Sequence, residues 1–363
     1  MRRIRESSTK VHNMLCFISG VMAAVLVFVI AIGVKTKAEN AGNRNVPVSQ
    51  AYEPQTVSKA AIPEDSTEQE KWQEGIISYK GQNYQYNMDV KTYLMMGVDV
   101  EDKVHKASDY TKGGQSDALF LLVVNNRTQK LQVISINRNT MTEIELCDEK
   151  GNDLGAFNAQ ICVQHAFGDG KKISCSRTVD AVSKLFGNIP ISGYFSMNMG
   201  AIPQMNDAVG GVELTVMQDM SIPEKGVKLK KGETVTLDGT EAYYYLRGRD
   251  TREFGSATKR LRREEQYIIA YMEKLKKVSA GDPDKVTHVY DSIADYMVSS
   301  VDFTSLIEEL MNYEFSQNQM YTVPGETVKG KPVDGVSYEE YHVDEDAMQD
   351  LIIQIFYEEA EQD

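Results

Sequence analysis

Seven basic side chains, Arg247, Arg249, Arg252, Lys259, Arg260, Arg262 and Arg263, fall between Glu241 and the end of the same short stretch, in a 363-residue chain whose formal net charge is −14. Inside that stretch only Asp250 and Glu253 oppose them. Six of the seven are arginine, whose planar fork gives two parallel hydrogen bonds to phosphate or carboxylate oxygens. Anion binding is the chemistry such a cluster suits, and a solvated basic face that balances neighbouring acids is the competing reading. Arg247 and Arg249 lie two apart, so on extended backbone they point the same way, with Gly248 leaving room for a ligand. Three further polar groups stand at predicted strand ends. Asp99 follows Val90–Gly97, Asp117 precedes Ala118–Val124, and Arg138 sits in the Asn137–Thr140 segment that closes Leu131–Ile136. Strand ends are where sites gather in α/β proteins.

The hydrophobic pattern supplies the scaffold for these groups. Ala118–Val124 is uniformly apolar, which predicts a central strand covered on both faces. A turn over 125–130 returns Leu131–Ile136 antiparallel beside it. Upstream, Ile76–Tyr86 alternates around Lys80-Gly81 and predicts a hairpin that begins the folded region. Downstream, the pattern predicts a short helix within 156–169 and an amphipathic helix over Ser176–Phe186 with Ser176 as its cap. A strand at 194–197, a helix at 201–208 and a strand at 212–216 follow, and Leu237-Asp238-Gly239 opens the short helix that delivers Arg247 and Arg249. After Gly255-Ser256, Leu261, Ile268, Met272 and Leu275 recur at helical spacing, so Arg260 and Arg262 flank an apolar stripe near a helix start, where the partial charge is positive. The mixed order of elements argues for an α/β/α layered domain over residues 75–280. Residues 281–363, with helices near 290–300, 303–313 and 344–358 and a strand at 320–323, read as an extension packed on the same domain, without a catalytic constellation of its own.

The N-terminus is different in kind. Residues 14–34 carry no charge and at ~1.5 Å per residue reach about 30 Å, the hydrocarbon thickness of a bilayer. Arg2, Arg3, Arg5 and Lys10 precede this run and Lys35 and Lys37 follow it, so the positive-inside bias places residues 1–13 in the cytoplasm and everything after residue 34 outside the cell. A cleaved signal peptide ending near Thr36-Lys37-Ala38 is the rival reading. Residues 35–74, polar and punctuated by Pro47, Pro54 and Pro63, read as a flexible linker. Cys147, Cys162 and Cys175 lack the tight spacing of a zinc site; a Cys162–Cys175 disulfide and buried thiols both remain open. His105 reads as a loop residue and His165 as a helix residue, neither with a catalytic role. The acidic balance lacks the basic footprint of a nucleic-acid binder.

Taken in order, Leu94–Asp99, Gln115-Ser116-Asp117, Ile134–Arg138, Asn206–Val212, Leu237–Ala242 and Tyr245–Arg249 make the stretch from about residue 90 to 275 resemble the LytR-CpsA-Psr family. The resemblance implies an α/β sandwich with a hydrophobic tunnel for a polyprenyl chain, anchored by one N-terminal membrane helix. It implies a phosphotransferase that moves anionic glycopolymers, of teichoic acid or capsule type, from polyprenyl diphosphate carriers to peptidoglycan. By the same resemblance Asp99 and Asp117 would hold magnesium against the diphosphate. Arg138, Arg247, Arg249, Arg260 and Arg263 would bind its oxygens, with Arg138, Arg247 and Arg249 acting in catalysis. Three departures accompany the match. The family usually has Arg at the position of Gln115, Asp at the position of Asn139, and Gln where this chain has Glu264-Glu265. Without an Asp at 139 the site lacks a possible base or an orienting partner for an arginine. Hydrolysis of the same diphosphate by water, and non-catalytic lipid-diphosphate binding that regulates envelope assembly, are the alternatives to transfer.

Overall fold

The computed structural model describes residues 76–148, 150–250, 253–280, 282, 284–301, 313, 319–330 and 338–360. The expected membrane helix, the linker, the helix predicted near 303–313 apart from Tyr313, and Arg252 lie outside these residues. Among the described residues no helix is long and apolar enough to cross a membrane.

The fold is mixed α/β around a six-stranded sheet. Its strands are β1 (Val90–Val98), β2 (Ser116–Asn125), β3 (Lys130–Ile136), β4 (Gly193–Asn198), β5 (Met297–Ser299) and β6 (Met320–Thr322). They lie in the order β5-β4-β1-β2-β3-β6. β1 pairs antiparallel with β2 and β2 with β3, whereas β1–β4 and β3–β6 are parallel. Among the described residues the α-helices are α1 (Lys172–Leu185), α2 (Ala201–Ala208), α3 (Gly239–Arg247), α4 (Ser256–Ser279), α5 (Asp284–Ile293) and α6 (Glu345–Phe356).

The uniform apolar run of β2 is explained by its central place. Side chains alternate across a strand, so Leu119, Leu121 and Val123 face one way and Phe120, Leu122 and Val124 the other. The first set packs with Leu94, Ile134, Val182 of α1 and Leu351 and Ile352 of α6. The second packs with Tyr93, Val133, Phe195 and Leu261 of α4, and Ile268 rests against it. A separate cluster joins α2, α3, α4 and α5 through Ile202, Ala242, Tyr245, Tyr267, Leu275 and Val289. Thus α4 bridges two cores, and its N-terminal turns are held where the sheet ends.

Two local expectations are corrected. α1 begins at Lys172 rather than after Ser176, because Asp169 Oδ1 accepts from the amides of Lys171 (2.7 Å), Ile173 (3.0 Å) and Ser174 (3.3 Å). An acid beside the first amides of a helix is a stronger cap than a serine four residues further on. The segment 156–169 is only partly helical: Asp153–Gln160 pairs antiparallel with Met141–Cys147, and a 3-10 turn over Ile161–Ala166 follows. Residues beyond 281 supply both edge strands of the sheet, β5 and β6, and a further hairpin, Gly325–Lys329 with Glu339–Val343.

Candidate functional site

A cavity of about 410 Å³ opens at the ends of β1 and β2, and Asp99, Asp117, Arg138, Arg247, Arg249 and Arg260 line it. Five elements far apart in sequence therefore converge on one place. Gln115, Met199 and Tyr244 complete much of its wall.

The two carboxylates differ in their surroundings. Asp99 follows β1 directly; its Oδ1 accepts from Gln115 N at 2.6 Å, and its own N–H donates to Gln115 O at 3.0 Å. Gly114, at φ +79°, makes this approach possible, since a Cβ there would lie 2.6 Å from Val100 Cγ2 and 3.2 Å from Asp99 Oδ1. Burial pushes the Asp99 pKa up, the charge of Asp117 adds to this, and the Gln115 amide opposes it. Asp117 lies between two guanidiniums, with Oδ1 3.0 Å from Arg138 Nε and Oδ2 accepting from Arg260 Nη1 at 2.7 Å. Its Oδ1 is nevertheless buried without an aligned hydrogen bond. An under-satisfied carboxylate oxygen close to a second carboxylate suits a hard divalent cation, which would complete its shell with water and ligand oxygens.

The arginines divide into those held by protein and those free for a ligand. Arg138, 8 % exposed, donates from Nη2 to Gln115 Oε1 and to Cys162 Sγ. Arg260, 3 % exposed, is tied to Asp117 and lies 3.3 Å from Glu264 through Nε. Arg247 ends α3, pairs with Glu101 at 3.1 Å and lies over the Tyr243 ring, with its side chain half exposed. Arg249 is different: it makes no hydrogen bond or ion pair with a described residue. Burial, then the like charges of Arg138 and Arg260, pushes its pKa down. The charges of Asp117 and Glu339 offset this only in part, so the guanidinium suits an added anion.

Arg263 departs from expectation. It is 1 % exposed and does not line the cavity. Its Nε donates to Tyr245 O and Nη1 to Gln218 Oε1, each at 2.8 Å, and Nη2 donates to Gly248 O. These bonds satisfy carbonyls at the negative end of α3, a nine-residue helix too short to be stable alone. The other end of α3 is closed by reciprocal bonds, Glu241 N to Asp238 Oδ1 at 2.8 Å and Asp238 N to Glu241 Oε2 at 3.1 Å. Arg263 therefore shapes the loop that presents Arg247 and Arg249. Gly248 serves the same end, because a Cβ there would lie 2.6 Å from Tyr244 O. The same glycine lines the cavity, where the sequence suggested that a ligand could approach the backbone.

Behind Arg260 lies Glu264. Burial outweighs the neighbouring cation and pushes its pKa up to about 7. The folded chain then holds a proton that the unfolded chain has lost between pH 4.5 and about 7. The stability this group contributes is complete below that window and is lost as pH rises through it. Wild-type stability relative to Glu264→Gln should accordingly fall from about pH 4.5 to about pH 7.5 in urea titrations. A difference that stays flat would mean that Glu264 is ionised throughout.

Cys147, Cys162 and Cys175 are buried free thiols, so the Cys162–Cys175 disulfide weighed from the sequence is not formed. Cys175 Sγ lies 3.6 Å from His165 Nε2, and His165 Nδ1 lies 3.0 Å from Gly114 O. Burial pushes the His165 pKa down, so the ring is neutral and supports the loop of Gln115. His105 is exposed, away from the cavity lining. Asn139 is 2 % exposed, and its Nδ2 donates to Glu339 Oε2 at 3.2 Å. Glu339 was missed from the sequence: it lies in an unremarkable acidic pair 200 residues from Asn139.

Comparison with known proteins adds to this geometry. The model of the LytR_cpsA_psr family matches residues 51–354. The chain is 29 % identical over 228 residues to the polyisoprenyl-teichoic acid–peptidoglycan teichoic acid transferase TagU of Halalkalibacterium halodurans, covering 62 % of this chain and 66 % of that protein. It is 28 % identical over 256 residues to biofilm regulatory protein A of Streptococcus mutans, covering 68 % of this chain and 58 % of that one. The chain thus spans less than two thirds of the length of either relative. Among solved structures, protein gbs0355 from Streptococcus agalactiae matches with a TM-score of 0.59 at 21 % identity, over 74 % of this chain and 86 % of that one, and shares the fold.

Proposed function

The chain belongs to the LytR_cpsA_psr family, and on that premise we propose that it is a membrane-anchored phosphotransferase joining a polyprenyl-diphosphate-linked anionic glycopolymer to peptidoglycan. The observation that carries this reading is Arg249, a cation with no hydrogen bond or ion pair to any described residue, beside Arg138 and Arg260 in a cavity that also holds two carboxylates. The name of the Halalkalibacterium relative describes such a transferase, which supports the same reading.

In this reaction a peptidoglycan hydroxyl attacks the sugar-proximal phosphorus and releases its proton. The bond to the bridging oxygen breaks, and polyprenyl phosphate leaves with the electron pair. Arg249 and Arg138 donate to the diphosphate oxygens, and Arg247 joins them once it gives up Glu101. Donors fixed before the reaction stabilise the charge that grows on the leaving oxygen. Arg260 keeps Asp117 turned to the cavity. A magnesium ion on Asp99 and Asp117 would neutralise diphosphate charge. Met199 and Tyr244 are the apolar wall from which a polyprenyl tunnel would begin. Residues 14–34 would anchor the chain with residues 1–13 in the cytoplasm and the domain outside, which protease digestion of intact cells tests.

The deciding experiment incubates the full-length protein in detergent with a synthetic polyprenyl diphosphate oligosaccharide and peptidoglycan fragments, and reads products by mass spectrometry. The joined product is expected. Free phospho-oligosaccharide alone would make the protein a hydrolase. Lipid retained without release of polyprenyl phosphate would make it a binder, the reading that the neutral Gln115 and the regulatory name of the Streptococcus relative favour. In the same assay Asp99→Asn should lose magnesium-dependent turnover while keeping its melting temperature, and an unaltered magnesium response would remove the metal from the scheme.

A further inference from the structure

The hairpin Gly325–Lys329/Glu339–Val343 is seated on the loop that carries Arg138. Tyr341 N donates to Asn139 O at 2.8 Å, and Gln160 Nε2 donates to Glu339 O at 2.6 Å. The Glu339 side chain then spans two segments that meet nowhere else in sequence. Its Oε1 accepts from the amides of Gly255 (2.6 Å) and Ser256 (3.3 Å) at the start of α4, and its Oε2 accepts from Asn139 Nδ2 at 3.2 Å. A second tie runs parallel to it: Thr258 Oγ1 accepts from Asn137 Nδ2 at 3.2 Å and lies 3.4 Å from Thr327 Oγ1 of the hairpin.

These ties bear on the arginines. Arg138 is the residue before Asn139, and Arg260 lies one turn into α4. The two guanidiniums meet at Asp117, 3.0 Å from Oδ1 and 2.7 Å from Oδ2. Their spacing therefore depends on how the 137–140 loop is set against the first turn of α4, which Glu339 and the Asn137–Thr258 bond tie together. Its negative charge also faces Arg249. A carboxylate suits this place because both of its oxygens only accept, and donors approach from both sides. At a helix N-terminus its charge is favoured as well.

We propose that Glu339, delivered by the C-terminal part of the chain, is a positioning residue for the arginine clamp, holding the Arg138 loop and the Arg260 helix at the spacing that a diphosphate requires. The inference deepens the diphosphate reading and rests on it. It also changes the meaning of Asn139. The carboxylate that the family resemblance expects at position 139 arrives here from Glu339, and Asn139 is the donor that meets it.

The test exchanges donor and acceptor. Glu339→Gln leaves one oxygen for two sets of donors and turns an amide N–H toward Asn139. Asn139→Asp sets two carboxylates against each other. The double variant is complementary again, with a glutamine N–H facing a carboxylate. Affinity for inorganic pyrophosphate with magnesium is measured by calorimetry on the full-length protein in detergent, alongside transfer rate and melting temperature. Each single substitution should weaken pyrophosphate about tenfold and lower kcat, and the double should return to within about threefold of wild type. Singles that lose melting temperature yet keep wild-type affinity and kcat would show a helix cap and nothing more, overturning the inference. Should the singles be too unstable to assay, a folded double variant that binds tenfold more weakly than wild type overturns it equally. Wild-type protein that does not bind pyrophosphate would sink the diphosphate reading and this inference together, whereas binding unchanged across all variants would sink the inference alone.

Discussion

Arg260→Met is expected to lower the unfolding free energy by about 3 to 5 kcal/mol, the usual cost of removing one partner from a buried ion pair. The Arg260 side chain is 4 % exposed and stands between Asp117 and Glu264, themselves 14 % and 12 % exposed. Without the guanidinium, Glu264 has no cation on its oxygens and Asp117 keeps only Arg138. Methionine fills the space but carries no charge, so both carboxylates lose a cation and Glu264 is driven further toward its protonated form. The loss should therefore be larger at about pH 8 than at about pH 5, where protonation of Glu264 relieves part of it. Urea unfolding at the two pH values measures this. A loss below about 1 kcal/mol at both would show that Asp117, Arg260 and Glu264 do not act as one array.

Arg249→Gln should behave in the opposite way. No described residue pairs with this guanidinium, and both burial and its like-charged neighbours oppose its charge, so removal leaves the melting temperature unchanged or slightly higher. Affinity for the lipid diphosphate should fall roughly tenfold to a hundredfold, corresponding to one charge-assisted hydrogen bond of about 1.5 to 3 kcal/mol. Arg249→Lys should recover only part of the affinity, since the charge returns without the fork. Calorimetric titration and thermal unfolding of the same samples separate the two effects. A fall in melting temperature comparable to that of Arg260→Met would assign Arg249 a structural task in place of a ligand-binding one.

The contrast between these two arginines was not legible in the sequence, although their presence in one site was. Residue type and spacing pointed to the basic cluster that includes Arg247, Arg249 and Arg260, the family resemblance added Arg138, and the apolar run of β2 announced a central strand that places Asp117 at its start. The helix that carries Arg260 was readable from the spacing of Leu261, Ile268 and Leu275 after Gly255. What a cation does once it arrives depends on acceptors brought from elsewhere. Arg263 looked like a ligand contact and instead meets Tyr245 O, Gln218 and Gly248 O, groups identified only by how α3 ends against α4. The strand Asp153–Gln160 was hidden because its pairing with Met141–Cys147 overrides a weak helical pattern. The start of α1 was misplaced because an aspartate capping three amides from outside the helix outweighs the serine nearer the apolar stripe. Glu339 was beyond reach for a related reason: nothing in its local pattern marks it, and its importance lies in contacts with residues more than eighty positions away.

Both edges of the central sheet are closed by the last part of the chain, β5 on β4 and β6 on β3. In a protein synthesised from its N-terminus, the arginine-bearing segments all emerge before the strands and the hairpin that fix their setting. Until then β3 and β4 present unpaired edges, and the loop of Arg138 lacks its seat. A fragment ending near residue 280 would carry every charged group of the cavity and still lack the framework that makes them a site. The cavity would thus take its final form only once residues 297–343 had joined the segments made before them. A truncated fragment that bound pyrophosphate as well as the full chain would show that this order of assembly imposes no such condition.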